Sequence, residues 1–249
     1  MDVALDVSFF LTQLMSLGLL VLIQFASGLL VIHYHVKVNY TRKINHFLLF
    51  VVPILFNQSY VTDRSVGLFV LGAFMAVAKF VFYTRPFRER FSFLRIMFRS
   101  FDRPEDRPNT LIWIVSQTAV GYTVLIPMGL LLGHYGRIEL LLIPLLIYGI
   151  GDGLAEPIGV RFGRRRYAVP GLFTNETFYR TYEGSACVFV TSVAVLLVYS
   201  RFFTLPQLAI ALLCIPILMT LAEAWSPHTW DSPLMFLVGG LSVWAVTFV

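Results

Sequence analysis

The chain has 249 residues, of which 57% are hydrophobic and 13% are charged, and its formal net charge is +5. Soluble domains carry roughly 25% charged residues, so this composition, with a mean hydropathy of +0.76, excludes an ordinary soluble domain and predicts a polytopic membrane protein. The positive charge comes largely from arginine in loops between apolar runs, which indicates membrane topology and excludes nucleic acid as the partner.

Eight apolar runs are long enough to be transmembrane helices, because a hydrocarbon core about 30 Å thick requires on the order of 20 apolar residues per helix. The predicted spans are 9–32, 46–62, 65–84, 110–132, 138–158, 184–204, 207–224 and 233–249. Polar residues blur the boundary between the second and third spans, so seven to nine spans fit the sequence. The predicted fold is therefore all-α, as a single transmembrane helical domain over residues 1–249.

Basic residues are concentrated in alternate loops. The loops after the first, third and fifth spans hold fifteen lysines and arginines, whereas those after the second, fourth and sixth spans hold three. Because cytoplasmic loops carry an excess of lysine and arginine, the odd-numbered loops are predicted to be cytoplasmic. Both termini are then predicted to lie on the opposite side of the membrane.

The loop at residues 85–109 carries seven of these arginines. Within it, the stretch FRERFSFLRIMFRSF alternates arginine with aromatic and aliphatic residues at three- and four-residue spacing. This pattern predicts an amphipathic helix that lies on the cytoplasmic membrane surface. The anchoring role is favoured over a catalytic one.

Residues 147–185 combine carboxylates with clustered arginines at a predicted membrane boundary. An apolar run ends in Asp152 and Glu156, whose four-residue spacing places both carboxylates on one helical face, and Glu183 precedes the next run. The arginines between them are Arg161, Arg164, Arg165, Arg166 and Arg180. Carboxylate oxygens suit a hard divalent cation and guanidinium groups suit phosphate oxygens, although an ordinary positive-inside loop with acidic edges is the alternative.

Two further polar segments are predicted to face the same side of the membrane. Residues 37–46 include Arg42, Lys43 and His46, and residues 223–233 include Glu223, His228 and Asp231. Acids near the membrane are costly and usually pair or bind something, so their clustering predicts one site. Glycines within 149–159 permit the close approach of another backbone or a phosphate, and Gly184-Ser185 offers free backbone N–H groups at a helix N-terminus.

In order along the chain, these segments resemble the motifs of the polyprenol kinase family, which includes phytol kinase, dolichol kinase and the CTP-dependent diacylglycerol kinase. The motifs are Arg42-Lys43-Ile44-Asn45-His46, GDGLAEPIG with RFG, EGS, Glu223-Ala224-Trp225-Ser226-Pro227 and Asp231-Ser232-Pro233. The family commonly has Asp-Asn where this chain has Asp231-Ser232, so the role of Asp231 stays open. The middle motifs also resemble those of phosphatidate cytidylyltransferases, whose C-terminal signature is missing here.

The resemblance implies phosphoryl transfer from CTP, with Mg²⁺, to the hydroxyl of a membrane isoprenoid alcohol of the phytol or polyprenol type or of diacylglycerol. Asp152 and Glu183 are the expected metal ligands, with Glu156 or Glu223 as a further ligand or base. His46 is a candidate base or phosphate contact. The expected phosphate-binding residues are Arg42, Lys43, Arg161, Arg180, Gly153, Gly184 and Ser185.

Two other functions are compatible with the same residues. A synthase of CDP-lipids, similar to phosphatidate cytidylyltransferase, would use the same acids and arginines to join cytidine to phosphatidate. A small lipid transporter or scaffold without catalytic activity would instead pair polar residues at mid-membrane depth, for which Gln117 and Lys79 are the candidates.

Overall fold

The computed structural model describes residues 7–56, 66–172 and 174–249, and these ranges are mostly helical, which confirms the all-α prediction. The helices are α1 (Val7–Tyr34), α2 (Val38–Phe56), α3 (Val66–Ala78), α4 (Arg85–Arg90), α5 (Ser92–Arg99), α6 (Thr110–His134), α7 (Leu142–Leu146), α8 (Gly153–Phe162), α9 (Tyr182–Val198), α10 (Leu205–Trp225) and α11 (Asp231–Val246). A π-helical turn, Ile147–Asp152, joins α7 to α8. The chain forms two compact units, Met1–Val115 and Ser116–Val249.

Within the described residues, four helical segments are long and apolar enough to cross a membrane. They are Phe10–Tyr34, Thr110–His134, Ile138–Phe162 and Leu205–Trp225. Three shorter apolar helices are Val70–Tyr83, Tyr182–Val198 and Asp231–Val246. Each of the eight predicted spans coincides at least in part with helix, but residues 57–62 of the second and residue 65 of the third lie outside the described ranges. The number of membrane passes stays a prediction.

The first unit is organised around α1, which packs against α2 and α5. The two helices α4 and α5 cover most of the basic stretch that the sequence singled out. Their apolar side chains join a buried cluster formed by Phe80, Tyr83, Leu94, Met97, Phe98 and Phe101. Four of their five arginines are exposed. The fifth, Arg88, is partly buried, and its guanidinium lies 3.8 Å from the centroid of the Phe98 ring. The amphipathic pattern therefore separates an apolar face, packed within this unit, from a basic outer face.

The second unit is a helical layer in which α9 packs on α10 and α10 packs on α11. The helix α10 starts at a capping box, in which the Thr204 side chain accepts from the Gln207 backbone N–H. The π-helical turn packs against α9, where a Cβ at Gly151 would lie 3.1 Å from the Val188 Cα. This close approach brings the buried Asp152, the last residue of the turn, beside α9.

A two-stranded antiparallel hairpin, β1 (Arg166–Pro170) and β2 (Thr177–Thr181), connects α8 to α9. The sequence did not predict it, because both strands are five residues long and lie in an arginine-rich loop. Alternate side chains point to opposite faces of a hairpin. The register pairs Tyr167 with Arg180 and Val169 with Phe178 on one face, and Val169 and Phe178 are buried.

The hairpin is attached to the turn between α10 and α11. The His228 backbone N–H donates to the Pro170 carbonyl oxygen at 2.8 Å. The His228 ring stacks on the Phe178 ring with centroids 3.8 Å apart and nearly parallel planes. These contacts hold one face of the hairpin against the end of the helical layer, which is the face that carries Arg180.

Gly28→Ala is expected to destabilise the first unit, because a Cβ at position 28 would lie 2.1 Å from the Ile96 carbonyl oxygen. Overpacking costs about 1–3 kcal/mol even where side chains can adjust, and here the obstacle is backbone. The expected result is a clear fall in melting temperature in detergent, measured by differential scanning fluorimetry.

Gly18→Ala in the same helix is the matched control, since nothing lies within 4 Å of a Cβ built at Gly18. Alanine is the better helix former by roughly 1 kcal/mol, so this variant should be as stable as the wild type or more so. Equal melting temperatures for the two variants would contradict the close packing of α1 against α5.

Candidate functional site

A buried ion cluster lies where β2 meets the end of α10 and the start of α11. The Arg180 Nη1 atom is 3.2 Å from the Glu223 Oε1 atom, and Arg180 Nη2 donates to Asp231 Oδ1. Glu223 is 4% exposed and Asp231 is 5% exposed. Buried charges are tolerated only when they are paired and hydrogen-bonded. A single guanidinium thus neutralises one carboxylate and stabilises the second.

The local fold explains how these three side chains meet. Strand alternation points Arg180 toward the turn between α10 and α11, where its Nη2 atom also donates to the Pro227 carbonyl oxygen at 3.4 Å. Ser226, which follows α10 directly, donates to Asp231 Oδ1 at 2.6 Å. The Asp231 carboxylate is therefore bound both by Ser226 of the same turn and by Arg180 of the hairpin.

A chain of hydroxyl groups extends from Glu223. The Ser185 hydroxyl donates to Glu223 Oε2 at 2.7 Å, and the Tyr167 hydroxyl oxygen lies 2.6 Å from Ser185 Oγ. Burial raises the pKa of Tyr167 to about 12, and the charge of Glu223 acts in the same direction. The Tyr167 phenol therefore keeps its proton at neutral pH and can act as a hydrogen-bond donor.

Asp152 belongs to the same electrostatic environment. It is 6% exposed. Burial lowers the pKa of Arg180, but three neighbouring carboxylates outweigh this effect and hold the pKa above its ordinary value. In decreasing order of effect, these are Asp231, Glu223 and Asp152. The structure thus brings three of the sequence-predicted acids around one sequence-predicted arginine.

The start of α9 places Glu183 and Gly184 in two different environments. Glu183 Oε1 accepts from the Arg164 backbone N–H at 3.0 Å, and Glu183 Oε2 is buried without a hydrogen bond. The Gly184 N–H donates to the Thr181 side chain, which caps the helix. A Cβ at Gly184 would lie 2.8 Å from the Ala155 carbonyl oxygen, so the glycine permits close packing of α9 on α8.

The other predicted residues of the second unit lie on α8. Gly153 is buried and Glu156 is partly exposed. Arg161 is exposed in the last turn of the helix, and its guanidinium is 5.4 Å from the Phe162 ring centroid. Arg161 is therefore accessible to a ligand, unlike Arg180, which already binds two carboxylates.

The predicted residues Arg42, Lys43 and His46 lie on α2 in the first unit. Lys43 is 3% exposed, and the other two are partly buried. The neighbouring Asn45 anchors this part of α2, because its Nδ2 atom donates to Ser100 Oγ at 2.7 Å. The convergence of these three residues with Asp152, Glu183 and Glu223 stays a prediction.

Tyr167 and Ser226 belong to the cluster but were not among the predicted site residues. Ser226 lies inside one of the quoted motifs, so the signal for it was present in the sequence. Tyr167 had no such signal, because its position depends on the hairpin register that pairs it with Arg180. Of the two residues expected to pair in a transporter, Gln117 donates to the Tyr148 hydroxyl at 3.0 Å.

Mg²⁺ is commonly bound by one or two carboxylates, with water and substrate phosphates completing its octahedral shell. Asp152 and the unbonded Oε2 atom of Glu183 are oxygen donors of this type. Glu223 and Asp231 instead share Arg180. Within the described part of the chain, no group of three or more His, Cys, Asp and Glu side chains is arranged to hold a metal ion.

No protein family model, curated protein or solved structure matches this chain.

Arg180→Met is expected to destabilise the second unit strongly, because it leaves Glu223 and Asp231 buried without their cation. Removing one partner of a buried ion pair costs about 3–5 kcal/mol, which at roughly 2–4 °C per kcal/mol for a protein of this size is a loss on the order of 10 °C in melting temperature. Thermal unfolding in detergent measures the change.

Arg166→Met is the matched control, because Arg166 is exposed at the start of the same hairpin. The same loss of a positive charge at that position should leave the melting temperature close to that of the wild type. If both variants unfold at the wild-type temperature, Arg180 does not stabilise the cluster.

Proposed function

We propose that this protein is an integral membrane kinase that transfers the terminal phosphoryl group of CTP to the hydroxyl of a membrane-resident lipid alcohol. The alcohol belongs to the phytol or polyprenol class, or is diacylglycerol. The observation that carries the proposal is the buried cluster of Arg180, Glu223 and Asp231 beside Asp152, at the ends of apolar helices. Its members come from two separate polar segments of the sequence, residues 147–185 and 223–233.

The chemistry of phosphoryl transfer suits such a site. The reaction needs positioned phosphates, compensation of negative charge and an aligned hydroxyl, with little covalent participation by the protein. An alcohol with a long apolar tail carries its hydroxyl at the level where the apolar helices end. Polar side chains held at that level can bind the hydroxyl while the tail stays in the bilayer.

Several of the predicted residues then receive roles. Asp152 and Glu183 would hold Mg²⁺, which supplies charge neutralisation of the phosphates when it is bound. Arg161, which is exposed, would bind the phosphate oxygens. Arg180, which the sequence assigned to phosphate, is engaged by two carboxylates and is therefore proposed to position them.

The proposed topology follows from the charge distribution. The apolar helices cross the membrane, the odd-numbered loops lie in the cytoplasm and both termini lie on the other side. The hairpin and the ion cluster are then cytoplasmic, on the side where nucleotides are available. In the same topology, the basic helices α4 and α5, which belong to an odd-numbered loop, would lie at the cytoplasmic membrane surface.

Incubation of the purified protein in lipid nanodiscs with CTP labelled at the γ-phosphate, Mg²⁺ and a lipid alcohol should yield labelled lipid phosphate on thin-layer chromatography. Asp152→Asn should reduce this transfer by roughly 10²-fold or more, since it removes a charge that contributes to transition-state stabilisation. The initial rate of label transfer is the measurement.

Glu139→Gln is the matched control, because Glu139 is a partly exposed acid at the other end of the same helical segment, Ile138–Phe162. It should transfer label at the wild-type rate. A CDP-lipid synthase would instead incorporate the α-phosphate of CTP into phosphatidate and release pyrophosphate. If neither the γ-phosphate nor the α-phosphate of CTP is incorporated into any lipid, the transporter alternative is favoured. The hydrogen bond between Gln117 and Tyr148 is compatible with that alternative.

The topology has a separate test at the sequon Asn175-Glu176-Thr177, whose asparagine is exposed between the two strands. Expressed in a eukaryotic secretory membrane, the protein should remain unglycosylated at Asn175, because its loop is proposed to be cytoplasmic. An electrophoretic mobility shift that is removed by a glycosidase is the readout. A sequon introduced at positions 135–137, in a loop proposed to face the other side, is the positive control, and sugar at Asn175 would invert the topology.

A further inference from the structure

The hydrogen bonds of the hydroxyl chain have a fixed direction. A carboxylate can only accept, so the single proton of Ser185 Oγ is donated to Glu223 Oε2. Ser185 therefore accepts from its other neighbour, and the Tyr167 hydroxyl must be the donor across the 2.6 Å contact. The Tyr167 oxygen keeps lone pairs that can accept a hydrogen bond from an incoming O–H group.

Exposure increases along the same chain. Glu223 and Ser185 are 4% and 6% exposed, whereas Tyr167 is partly exposed. Of the three residues, Tyr167 is therefore the one at which an external hydroxyl would approach. The three groups form a path from a partly exposed residue to a buried carboxylate.

We propose that Tyr167 is the catalytic residue that accepts the hydrogen bond of the acceptor alcohol, and that Ser185 relays the proton onward to Glu223, which acts as the base. This inference rests on the proposed kinase function and deepens it, because it selects Glu223 as the base and adds Tyr167. The acceptor class is an alcohol attached to a lipid tail.

The proposed step conserves atoms and charge. The alcohol oxygen forms a bond to the terminal phosphorus of the nucleoside triphosphate, and the bond from that phosphorus to the bridging oxygen breaks, so that the diphosphate leaves with the electron pair. The alcohol proton moves to Tyr167, the Tyr167 proton to Ser185 and the Ser185 proton to Glu223. Both hydroxyls end neutral and Glu223 ends protonated.

Arg180 makes this proton uptake tolerable. Together, Arg180, Glu223 and Asp231 carry one formal negative charge, because one guanidinium faces two carboxylates. Protonation of Glu223 leaves Arg180 paired with Asp231, a neutral pair that burial penalises less. If a buried arginine had only one carboxylate partner, protonation of that carboxylate would leave the guanidinium buried and unpaired. Here Asp231 remains as the second partner.

Tyr167→Phe removes only the hydroxyl and keeps the ring that packs in the hairpin. It should lower kcat for transfer from γ-labelled CTP by roughly 10²-fold, the lower end of general-base effects, while the KM for CTP and the melting temperature stay at their wild-type values. Tyr179→Phe is the matched control, because Tyr179 is 66% exposed on the other face of the hairpin. It should leave kcat unchanged.

Ser185 tests the relay. Ser185→Ala should lower kcat to a similar extent, and Ser185→Thr, which restores a hydroxyl, should recover most of it. A merely structural serine would not show this recovery together with an unchanged KM for CTP. The double variant Tyr167→Phe with Ser185→Ala should lose no more activity than either single variant, since a chain is interrupted only once.

The outcomes separate the two proposals. If the wild-type protein transfers no label to any lipid alcohol, the proposed kinase function is overturned, and the relay with it. If the wild type transfers label and Tyr167→Phe has wild-type kcat, only the relay is overturned. Multiplicative losses in the double variant would likewise overturn the relay, because they would show that Tyr167 and Ser185 act independently.

Discussion

A buried guanidinium shared by two carboxylates is the interaction on which the second unit depends. Charges removed from water are tolerated only while they remain paired, and neither Glu223 nor Asp231 is more than 5% exposed. Arg180 must therefore stay in contact with both, which fixes β2 against the turn between α10 and α11. The stacked rings of Phe178 and His228 act on the same face of the hairpin. The hairpin thus has one orientation relative to the helical layer.

That orientation determines the rest of the site. Because the strand register pairs Tyr167 with Arg180, both side chains point to the face that meets Ser185 and Glu223. Close packing of α9 against the π-helical turn and α8, at Gly151 and Gly184, brings Asp152 and the start of α9 to the same region. The same groups therefore stabilise the fold and take part in the proposed chemistry. Arg180 attaches the hairpin through its ion pair with Glu223, and Glu223 is the carboxylate proposed to receive the proton.

The first unit depends on the long helix α1 and on its close packing against α5. The helix α1 has 28 residues, which at about 1.5 Å per residue gives roughly 42 Å, more than a hydrocarbon core about 30 Å thick requires. The helix α5 packs beside it through the contact of Gly28 with Ile96. This packing presents a basic face of α4 and α5, as expected of an element at the membrane surface in the proposed topology. The aromatic side chains beneath that face are buried within the unit.

The sequence by itself determined the helices and the polar segments, because a long apolar run or an acid beside an arginine cluster is a local signal. It placed Asp152, Glu223, Arg180 and Asp231 in one site, and the structure does bring these four together. Only the tertiary structure decided that Arg180 binds Glu223 and Asp231, which are 43 and 51 residues away, and that Tyr167 extends the chain through Ser185. Pairing partners depend on strand register and helix packing, and two five-residue strands carry too little local pattern to reveal either.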